Sequence, residues 1–577
     1  MAINEKNIRV VLAIDFGTSR SGYAYAFVND PRIIGRTEWE GQPIAYNKTL
    51  THLLYSRDEG KNIVDAWGWP AKKRLFDIQR SFDDPQGYYF FENFKMKLHQ
   101  GQDKNSNAPD ITTNDGQTFA VLDLISDYVK LLKELALEEI KNSTAGYLKD
   151  SEILWCLTIP AIWTNAEKQF MRKAAQKAGL VGEGSAEAER LLLVLEPEAA
   201  AIYCQDKEKS QLEPETRFMV VDCGGGTVDI TVHEVLQDRK LKEVVIGKGG
   251  KYGSTYIDKD FEKYLRKKLN ADVIDRYESD YPQEYLEMMA NWERIKCDFN
   301  PQNNDNIINF SIPRKLDRLL QEHYPHLLEH LAKEQQGEDA NIYLDKKTMM
   351  DIFSPTLNGL IETVDEQFHT LNSRGCDIIF LVGGFSSSPI LRQQIQQKFG
   401  SRVKKIVFSP SPGAAIVEGA VLYGLNPSII PLRRSRLTYG CETSLPFDST
   451  LDPETKKFWS SYRKGYYCKQ RFDIFVKAGE PVEVNKGIEY DGYSPQQEDQ
   501  KEIKFPFYST EKQQVRYTDD PGVDKIGELI VEIPKTEINS KHNIKVIMYF
   551  GDTEIKVEAI NPESGRKYNI KFLFDYL

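Results

Sequence analysis

Residues 11–19 read VLAIDFGTS, and residues 219–229 read MVVDCGGGTVD. In each stretch an apolar strand leads into an aspartate and then into a glycine-containing turn with a hydroxyl residue. A strand that ends in this way places a carboxylate at the edge of a sheet, where it can hold a hydrated cation. Because glycine has no Cβ, the N–H groups of the turn can approach phosphate oxygens closely. Two such loops facing each other predict a site for a polyphosphate with magnesium; two ordinary tight turns are the alternative.

Composition narrows the class of protein. The chain has 577 residues, enough for two or more domains with sizeable cores. Its net charge of −11 argues against nucleic-acid or anionic-membrane binding. No apolar run approaches the ~20 residues of a membrane span, and the N-terminus does not resemble a signal peptide. The seven scattered cysteines argue against structural zinc and a disulfide framework. We therefore expect a cytoplasmic protein with no membrane span and no nucleic-acid partner.

The pattern of secondary structure changes along the chain. Up to residue 430, strands alternate with amphipathic helices, which predicts α/β layers. The capping box of Thr164 and Glu167 predicts a helix over Asn165–Ala178. After residue 430, short alternating stretches such as RFDIFVK and NIKVIMYF predict an antiparallel β domain. The predicted strands of the first part are Val10–Ile14, Ile153–Ile159, Leu191–Leu195, Phe218–Val221, Ile378–Val382 and Ile406–Phe408.

Three further segments can complete a nucleotide site. LVLEPEAAA ends a predicted strand at Glu196, a third carboxylate whose burial beside two others requires a compensating cation or water. IIFLVGGFSSSP places Gly383 and Gly384 after a strand, where a ribose or phosphate can approach the backbone. WERIKCDF offers Glu293 and Lys296 on one helical turn to the polar edges of a nucleoside. Taken alone, this last segment is better interpreted as an exposed helix face.

Together these segments resemble the seventy-kilodalton heat-shock (DnaK-type) chaperone family of the actin-like and sugar-kinase ATPase superfamily. The segments that match, in the family's order, are IDFGTS, LTIPAIWTNAEKQ, LEPEAAA, VVDCGGGTVDIT, WERIKCDF and IIFLVGG. GAVLYGLNP and FKMKLH are closest to a divergent branch, the twelve-type members. RLTYGCET and the stretch from IKVIMYF to YNIKF resemble strands of the family's substrate-binding β-sandwich. The resemblance covers nearly the whole chain.

The resemblance implies a particular α/β architecture. A two-lobed actin-like ATPase domain, which is a duplicated ribonuclease-H-like unit, is expected over residues 1–430. A smaller antiparallel β-sandwich domain is expected over residues 431–577. The sequence ends at Leu577, directly after the last predicted strand, so the family's helical lid is expected to be absent. The family's acidic-apolar interdomain linker is not recognisable either, which puts conventional coupling between the domains in doubt.

The resemblance also implies catalytic roles. Asp15 and Asp222 would hold a hydrated magnesium ion between the lobes. Glu196 and Asp229 would orient water and metal, and Thr227 would contact the terminal phosphate of ATP.

The family also uses a lysine near the attacking water. That lysine is placed at Lys95, in FENFKMKL, and Lys72, in GWPAKKR, is the alternative. The choice between the two stays open at this point.

Predicted contacts to ATP or ADP come from loop amides and from side chains around them. They are Gly17, Thr18, Ser19, Arg20, Gly224, Gly225, Gly226, Gly253, Glu293, Lys296, Gly383, Gly384 and Phe385.

Several positions depart from the family's pattern. Cys297 and Ser387 stand where the family brackets adenine between two arginine side chains. Phe385 replaces a small serine, and Ser254 replaces a glycine. Arg20 replaces a small or aromatic residue and adds a phosphate contact. Weaker adenine affinity or a changed base preference would follow.

Three functional hypotheses follow from this sequence. The first is a slow, magnesium-dependent ATPase of the chaperone type, whose nucleotide state alters the grip of the β domain on a protein client or peptide. A co-chaperone or nucleotide-exchange partner would belong to this hypothesis. The second is a nucleotide-binding scaffold or regulatory protein with little hydrolysis, which the altered adenine positions and the absent lid favour. The third is a small-molecule kinase of the sugar-kinase type, although no sugar-specific constellation is recognisable. Fold alone cannot separate them.

Overall fold

The computed structural model of the protein describes residues 7–58, 60–80, 87–99, 109–113, 115–143, 148–182, 184–210, 212–302, 307–335, 337, 340–371, 373–460, 464–493, 502–532, 544–551, 553–560, 565, 567 and 570–574.

The first part of the chain mixes strands and helices. Its strands are β1 (Val10–Asp15), β2 (Arg20–Phe27), β3 (Asp30–Gly35), β4 (Thr49–Leu50), β5 (Leu53–Asp58), β6 (Lys61–Trp67), β7 (Tyr88–Phe91), β8 (Asp110–Thr112), β9 (Thr118–Ala120), β10 (Ile153–Ile159), β11 (Leu191–Leu195), β12 (Arg217–Cys223), β13 (Val228–Val235), β14 (Leu241–Gly250), β15 (Ile308–Ser311), β16 (Asn341–Leu344), β17 (Ile378–Val382), β18 (Lys405–Phe408) and β19 (Leu432–Arg434). Its helices are α1 (Gly68–Arg80), α2 (Val121–Ser143), α3 (Asn165–Lys177), α4 (Ser185–Ala188), α5 (Glu196–Lys207), α6 (Ser254–Leu269), α7 (Ala271–Asp280), α8 (Pro282–Asp298), α9 (Arg314–His323), α10 (Pro325–Glu334), α11 (Lys346–Thr370), α12 (Pro389–Phe399) and α13 (Ala415–Leu425).

Strands dominate the described residues of the rest of the chain. They are β20 (Thr438–Pro446), β21 (Lys457–Ser460), β22 (Gly465–Val476), β23 (Pro481–Glu483), β24 (Ile488–Tyr493), β25 (Glu502–Thr510), β26 (Asp524–Glu532), β27 (Ile544–Tyr549), β28 (Lys556–Ile560) and β29 (Ile570–Phe574). Short 3₁₀ segments lie at Phe94–His99, Asp150–Glu152, Gly384–Ser387, Pro427–Ile429 and Glu454–Lys456.

The predicted mixture of strands and helices is confirmed. Every strand predicted before residue 430 is present, with ends that differ by at most two residues. The predicted helix is α3, where the Thr164 side chain accepts a hydrogen bond from the backbone N–H of Glu167. None of the helices among the described residues is long and apolar enough to cross a membrane.

Two large sheets repeat one strand pattern. The first has the order β11-β10-β1-β2-β3, and the second has the order β18-β17-β12-β13-β14-β19-β23. In each sheet a central strand, β1 or β12, pairs in parallel with one neighbour and antiparallel with the strand that follows it in the chain. The loops that leave β1 and β12 are therefore equivalent in the two sheets. Strands β19 and β23, which come after residue 430, extend the second sheet.

Both faces of β1 are covered, because successive side chains of a strand point to opposite faces. Leu12 and Ile14 lie in one apolar cluster, whereas Val11 and Ala13 lie in another. This second cluster also contains Val220 of β12. The two sheets therefore share part of their core.

Helices α5 and α13 cross within this shared core in backbone contact. A Cβ added to Gly419 of α13 would lie 1.8 Å from the carbonyl oxygen of Ala199 in α5. One added to Gly424 would lie 2.4 Å from Cγ1 of Val11 in β1. Small residues are required at these positions, and the contact fixes the start of α5 relative to β1.

Two sheets form most of the described residues after residue 437. Their orders are β21-β22-β20-β25-β26-β29 and β24-β27-β28, and their neighbouring strands are antiparallel. Residues of both sheets, among them Cys441, Phe507, Val546 and Met548, share one buried apolar cluster. The antiparallel strands expected from the alternating pattern are therefore present.

Candidate functional site

The two glycine-containing loops are in direct contact. A Cβ added to Gly225 would lie 2.3 Å from Oγ of Ser19, and one added to Gly226 would lie 2.8 Å from Oγ1 of Thr18. Both distances are too short for a real side chain, so the close approach requires glycine. The Ser19 hydroxyl is buried here and has no hydrogen-bond partner. The structure therefore brings together the two segments that the sequence singled out.

The loop after β1 is held by local hydrogen bonds. The backbone N–H of Gly17 donates to Oγ of Ser21 at 3.1 Å, and Oγ1 of Thr51 donates to the carbonyl oxygen of Gly17 at 2.9 Å. A Cβ on Gly17 would lie only 2.2 Å from the carbonyl oxygen of Arg20. These bonds fix the direction in which the loop leaves the sheet.

The loop after β12 is held by the start of α6. The backbone N–H groups of Ser254 and Thr255 donate to the carbonyl oxygens of Gly224 and Gly225, at 3.2 and 2.9 Å. A Cβ on Gly253 would lie 2.2 Å from the carbonyl oxygen of Gly225. Ser254, which departs from the family's glycine, contributes a backbone N–H to this contact.

Four buried carboxyl groups lie around the loop contact. Asp15 ends β1, Asp222 lies on β12 opposite Asp229 of β13, and Glu196 begins α5. Burial and the charges of Glu196 and Asp229 raise the pKa of Asp222 well above its usual value. Its Oδ1 atom is buried without a hydrogen-bond partner. The cluster therefore has a strong need for positive charge or for hydrogen-bond donors.

Asp229 is held by the start of the segment that leads into α3. Its Oδ1 accepts a hydrogen bond from the backbone N–H of Ala161 at 3.1 Å. Burial raises the pKa of Asp229, whereas Arg436 and the hydroxyl of Thr227 lower it. Thr227 also closes its own loop, because its carbonyl oxygen accepts from the N–H of Gly224 at 3.0 Å.

Lys95 lies beside the carboxylates, and Lys72 does not. The Nζ atom of Lys95 donates to Oε1 of Glu196 at 2.9 Å and to the carbonyl oxygen of Phe16 at 2.6 Å. Lys72 lies 6.0 Å above the ring of Trp69, where burial lowers its pKa. The geometry therefore favours Lys95 as the lysine of this site.

The pKa of Glu196 is raised above its usual value. Burial is the largest cause and raises its pKa, Lys95 lowers it, and the charges of Asp15 and Asp229 raise it further, to about 7. A carboxyl group with such a pKa exchanges its proton near neutral pH.

Asp15 has two close partners that sequence reasoning did not predict. Oγ1 of Thr158 donates to its Oδ1 at 2.8 Å, and Nζ of Lys48 lies 2.5 Å from its Oδ2. Thr158 lies in the predicted strand β10 and could have been anticipated from strand pairing. Lys48 lies in no recognisable motif, so nothing in the local sequence points to this contact.

The donor set fits a hydrated magnesium ion. Among the described residues no three or more His, Cys, Asp or Glu side chains form a group that could hold a metal directly. Mg²⁺ retains much of its water shell, so carboxylates that are too far apart for direct ligation can still hold it through water. The unpartnered Oδ1 of Asp222 can accept a hydrogen bond from such a water.

Glu293 and Lys296 belong to an ion-pair network on α8. Nζ of Lys296 lies 2.7 Å from Oδ1 of Asp258 and also pairs with Glu293. Trp292 donates to the same oxygen of Asp258 at 2.9 Å. Asp258 was not predicted, and it holds Lys296 in a buried position at the side of α6.

Gly383 lies against the carboxylate cluster. Its φ of 80° lies in the region that favours glycine, and a Cβ there would be 2.4 Å from Oδ1 of Asp222. Gly384 is exposed, whereas Phe385 is buried in the apolar cluster of the second sheet. The Phe385 ring is therefore a core side chain in this structure.

The positions expected to contact adenine are open. Cys297 and Ser387 are exposed, and neither carries the planar cation that stacks on a base. The guanidinium of Arg20 lies 5.4 Å from the ring centre of Tyr46. Burial acts to raise the pKa of Glu293, but the charge of Lys296 lowers it below its usual value. The charge of Arg20 contributes to the lowering to a smaller extent.

A buried ion pair links α5 to the segment after residue 430. Arg433 donates to both oxygens of Glu198, at 2.7 and 2.6 Å, and to the carbonyl oxygen of Gly551 at 2.7 Å. Glu198 follows Glu196 by two residues on α5. One arginine therefore contacts both the helix that carries a site carboxylate and the turn between β27 and β28.

The same turn contacts α3. Arg172 donates from Nε to Oε1 of Glu554 at 2.8 Å, and Gln169 donates to that oxygen at 2.9 Å. Lys168 donates to the carbonyl oxygen of Thr553 at 3.1 Å. The turn is thus attached to the helix that follows the Asp229 contact.

Comparison with known proteins identifies the family. The family model described as "Hsp70 protein" matches residues 12–445, a range that includes both loops and all four carboxyl groups. The chain therefore belongs to the Hsp70 family and carries that family's nucleotide-binding domain.

Individual relatives agree with this result. The chain is similar to "Heat shock 70 kDa protein 12A" of Mus musculus, with 30% identity over 99% of this chain and 92% of the relative. It is similar to "Heat shock 70 kDa protein 12B" of Homo sapiens, with 28% identity over 100% and 92%. "Chaperone protein HscA homolog" of Acinetobacter baumannii (strain SDF) is 25% identical over 46% of this chain and 39% of its own length. The resemblance to the family and its twelve-type branch is confirmed.

The raised pKa of Glu196 predicts a pH dependence of stability. Because that pKa rises from 4.5 to about 7 on folding, the folded state binds the proton more tightly than the unfolded state. This contribution to stability is present below pH 4.5 and is lost as the pH rises through about 7. We expect the wild type to lose free energy of unfolding relative to Glu196→Gln over this range, measured by urea unfolding.

Glu454→Gln is the matched control, since Glu454 has a 74% exposed side chain. The difference in free energy of unfolding between Glu454→Gln and the wild type should not change with pH in the same range. A constant difference between the wild type and Glu196→Gln would contradict the pKa assignment.

Proposed function

We propose that the protein binds ATP and ADP with Mg²⁺ between two lobes of an actin-like ATPase domain, residues 1–430, and that it hydrolyses ATP slowly. The observation that carries this proposal is the contact of the two loops, where the hydroxyl of Ser19 and Oδ1 of Asp222 are buried without partners. Buried polar atoms without partners are costly, and phosphate and its hydrated metal would satisfy both. Members of the Hsp70 family bind ATP or ADP with Mg²⁺.

Asp15 and Asp222 are the residues that would hold the ion through water. Magnesium neutralises the charge of the phosphates when it is bound there. The backbone N–H groups of residues 224–226 and the hydroxyl groups of Thr18 and Ser19 would hold the phosphate oxygens.

Glu196 is suited to accept the proton of an attacking water at Oε2, since Oε1 accepts the hydrogen bond from Lys95. Its pKa of about 7 allows it to gain and release a proton near neutral pH. The hydrogen bond from Lys95 keeps the carboxyl group oriented. Asp229 is held by the Ala161 N–H and would order water beside it.

The proposal assigns residues 431–577 to an antiparallel β-sandwich that binds a protein client or peptide. The shared apolar cluster of its two sheets supports this arrangement. The contacts of Arg433 and Glu554 with α5 and α3 give a physical route by which nucleotide state could alter client binding. A co-chaperone or exchange partner and a cytoplasmic location complete the proposal.

A nucleotide-binding scaffold with little hydrolysis is the second candidate. It is favoured by the exposed Cys297 and Ser387, which leave a base without stacking cations. Weaker base binding would limit how well the phosphates are positioned for hydrolysis.

Release of phosphate from ATP with Mg²⁺ tests the catalytic proposal. We expect measurable turnover by the wild type and a fall of roughly 100-fold or more for Asp15→Asn, Asp222→Asn and Lys95→Met, because positioned charge supplies most of the rate. Asp30→Asn is the control, since its carboxylate lies on β3 and pairs with the exposed Arg32.

The outcomes separate the two candidates. No turnover, together with a rise in melting temperature on adding ATP, would support the scaffold. If the protein showed no turnover and no shift in melting temperature, nucleotide binding itself would be contradicted.

Binding of an unfolded protein tests the coupling. With reduced, carboxymethylated α-lactalbumin as the probe, we expect the wild type to bind with affinities that differ about fivefold or more between ATP and ADP. Glu554→Gln should reduce this difference, because it removes the charge that pairs with Arg172 on α3. Glu558→Gln is the control, since Glu558 lies on β28 and pairs with the exposed Lys567. This variant should keep the affinity difference between ATP and ADP. An undiminished difference in Glu554→Gln would contradict a role for this contact.

A further inference from the structure

Lys48 is part of the carboxylate cluster. Its side chain is only 11% exposed, and its Nζ lies 2.5 Å from Oδ2 of Asp15. Because Thr158 donates to the other oxygen of Asp15, both oxygens of that carboxylate are engaged. The ammonium group therefore occupies one side of the place assigned to a hydrated cation.

The backbone fixes Lys48 in this position. Strand β4 begins at the next residue and pairs with β2, where Ser21 faces Thr49. Gly22, the β2 partner of Asp15, has no side chain to block the crossing chain. A Cβ there would lie 2.5 Å from the carbonyl oxygen of Asn47 and 3.4 Å from Cα of Lys48. Lys48 is thus built into the sheet edge and is unlike a mobile surface lysine.

The segment before Lys48 reaches the second sheet. A Cβ added to Gly413 would lie 2.4 Å from Oη of Tyr46, and one added to Gly384 would lie 3.5 Å from it. Residues 46–48 therefore extend from the loops of the second sheet to Asp15 of the first.

The electrostatics keep Lys48 charged. The ammonium of Lys48 and the carboxylate of Asp15 form a buried ion pair, with only 11% and 2% of their side chains exposed. A divalent ion beside Asp15 would meet this ammonium at close range and would be repelled by it. The positive charge that Asp15 requires is therefore already supplied by the chain.

We propose that Lys48 is a built-in counter-cation that keeps divalent ions out of the nucleotide-free site. A divalent ion then enters together with the nucleotide, whose phosphates draw the ammonium away from Asp15. The second statement rests on the proposed nucleotide binding, whereas exclusion of the free ion does not.

Mn²⁺ is the probe for this proposal, and its free concentration is measured by electron paramagnetic resonance with the full chain. Without nucleotide, we expect Lys48→Met to bind Mn²⁺ at least tenfold more tightly than the wild type. Adding Asp222→Asn to Lys48→Met should abolish the gain in Mn²⁺ affinity. This loss would show that the extra Mn²⁺ binds at the carboxylate cluster. Lys130→Met, at a 57% exposed residue on α2, removes the same charge and should bind Mn²⁺ as the wild type does.

Equal Mn²⁺ affinity of the wild type and Lys48→Met would overturn the proposal. Tight Mn²⁺ binding by the nucleotide-free wild type would overturn it too, even if Lys48→Met did not fold. With ADP present, the wild type should gain Mn²⁺ binding. If it does not, the proposed nucleotide binding fails, and the nucleotide-free comparison still decides the role of Lys48.

Discussion

The site depends on keeping four carboxyl groups buried where two sheets meet. Each of these groups would be costly alone, because burial removes water and because the groups repel one another. The chain compensates them with two lysines from different segments, with the hydroxyl of Thr158 and with the backbone N–H of Ala161. Asp222 is compensated least, and its unpartnered oxygen faces Gly383. The carboxyl groups that lie where the sheets meet thus leave a demand for a ligand.

The same constraint explains the glycines. Two loops that come from equivalent places in two sheets approach this closely because Gly225 and Gly226 have no side chains. The start of α6 then holds one loop through the carbonyl oxygens of Gly224 and Gly225. On the other side, α5 and α13 cross at Gly419, which brings Glu196 towards β1.

The sequence predicts what depends on local pattern. Asp15 and Asp222 follow buried strands, so their places at the sheet edges could be anticipated from the strand pattern alone. The sequence does not decide whether Lys95 or Lys72 is the lysine of the site, because only tertiary structure determines which one reaches Glu196. Lys48 could not be found, since its contact with Asp15 arises where the chain crosses β2 at Gly22. Similarly, the buried pair of Arg433 and Glu198 could not be predicted, because the two residues meet only in the folded chain.

The central claim is that one ligand is held by both loops together. Hydrogen exchange of the full chain, followed by mass spectrometry with and without ATP and Mg²⁺, tests it most directly. The account predicts slower exchange in peptides that cover residues 16–20 and in peptides that cover residues 223–229, at the same ATP concentration. Protection of only one loop, or of neither while ATP binds, would contradict a shared site.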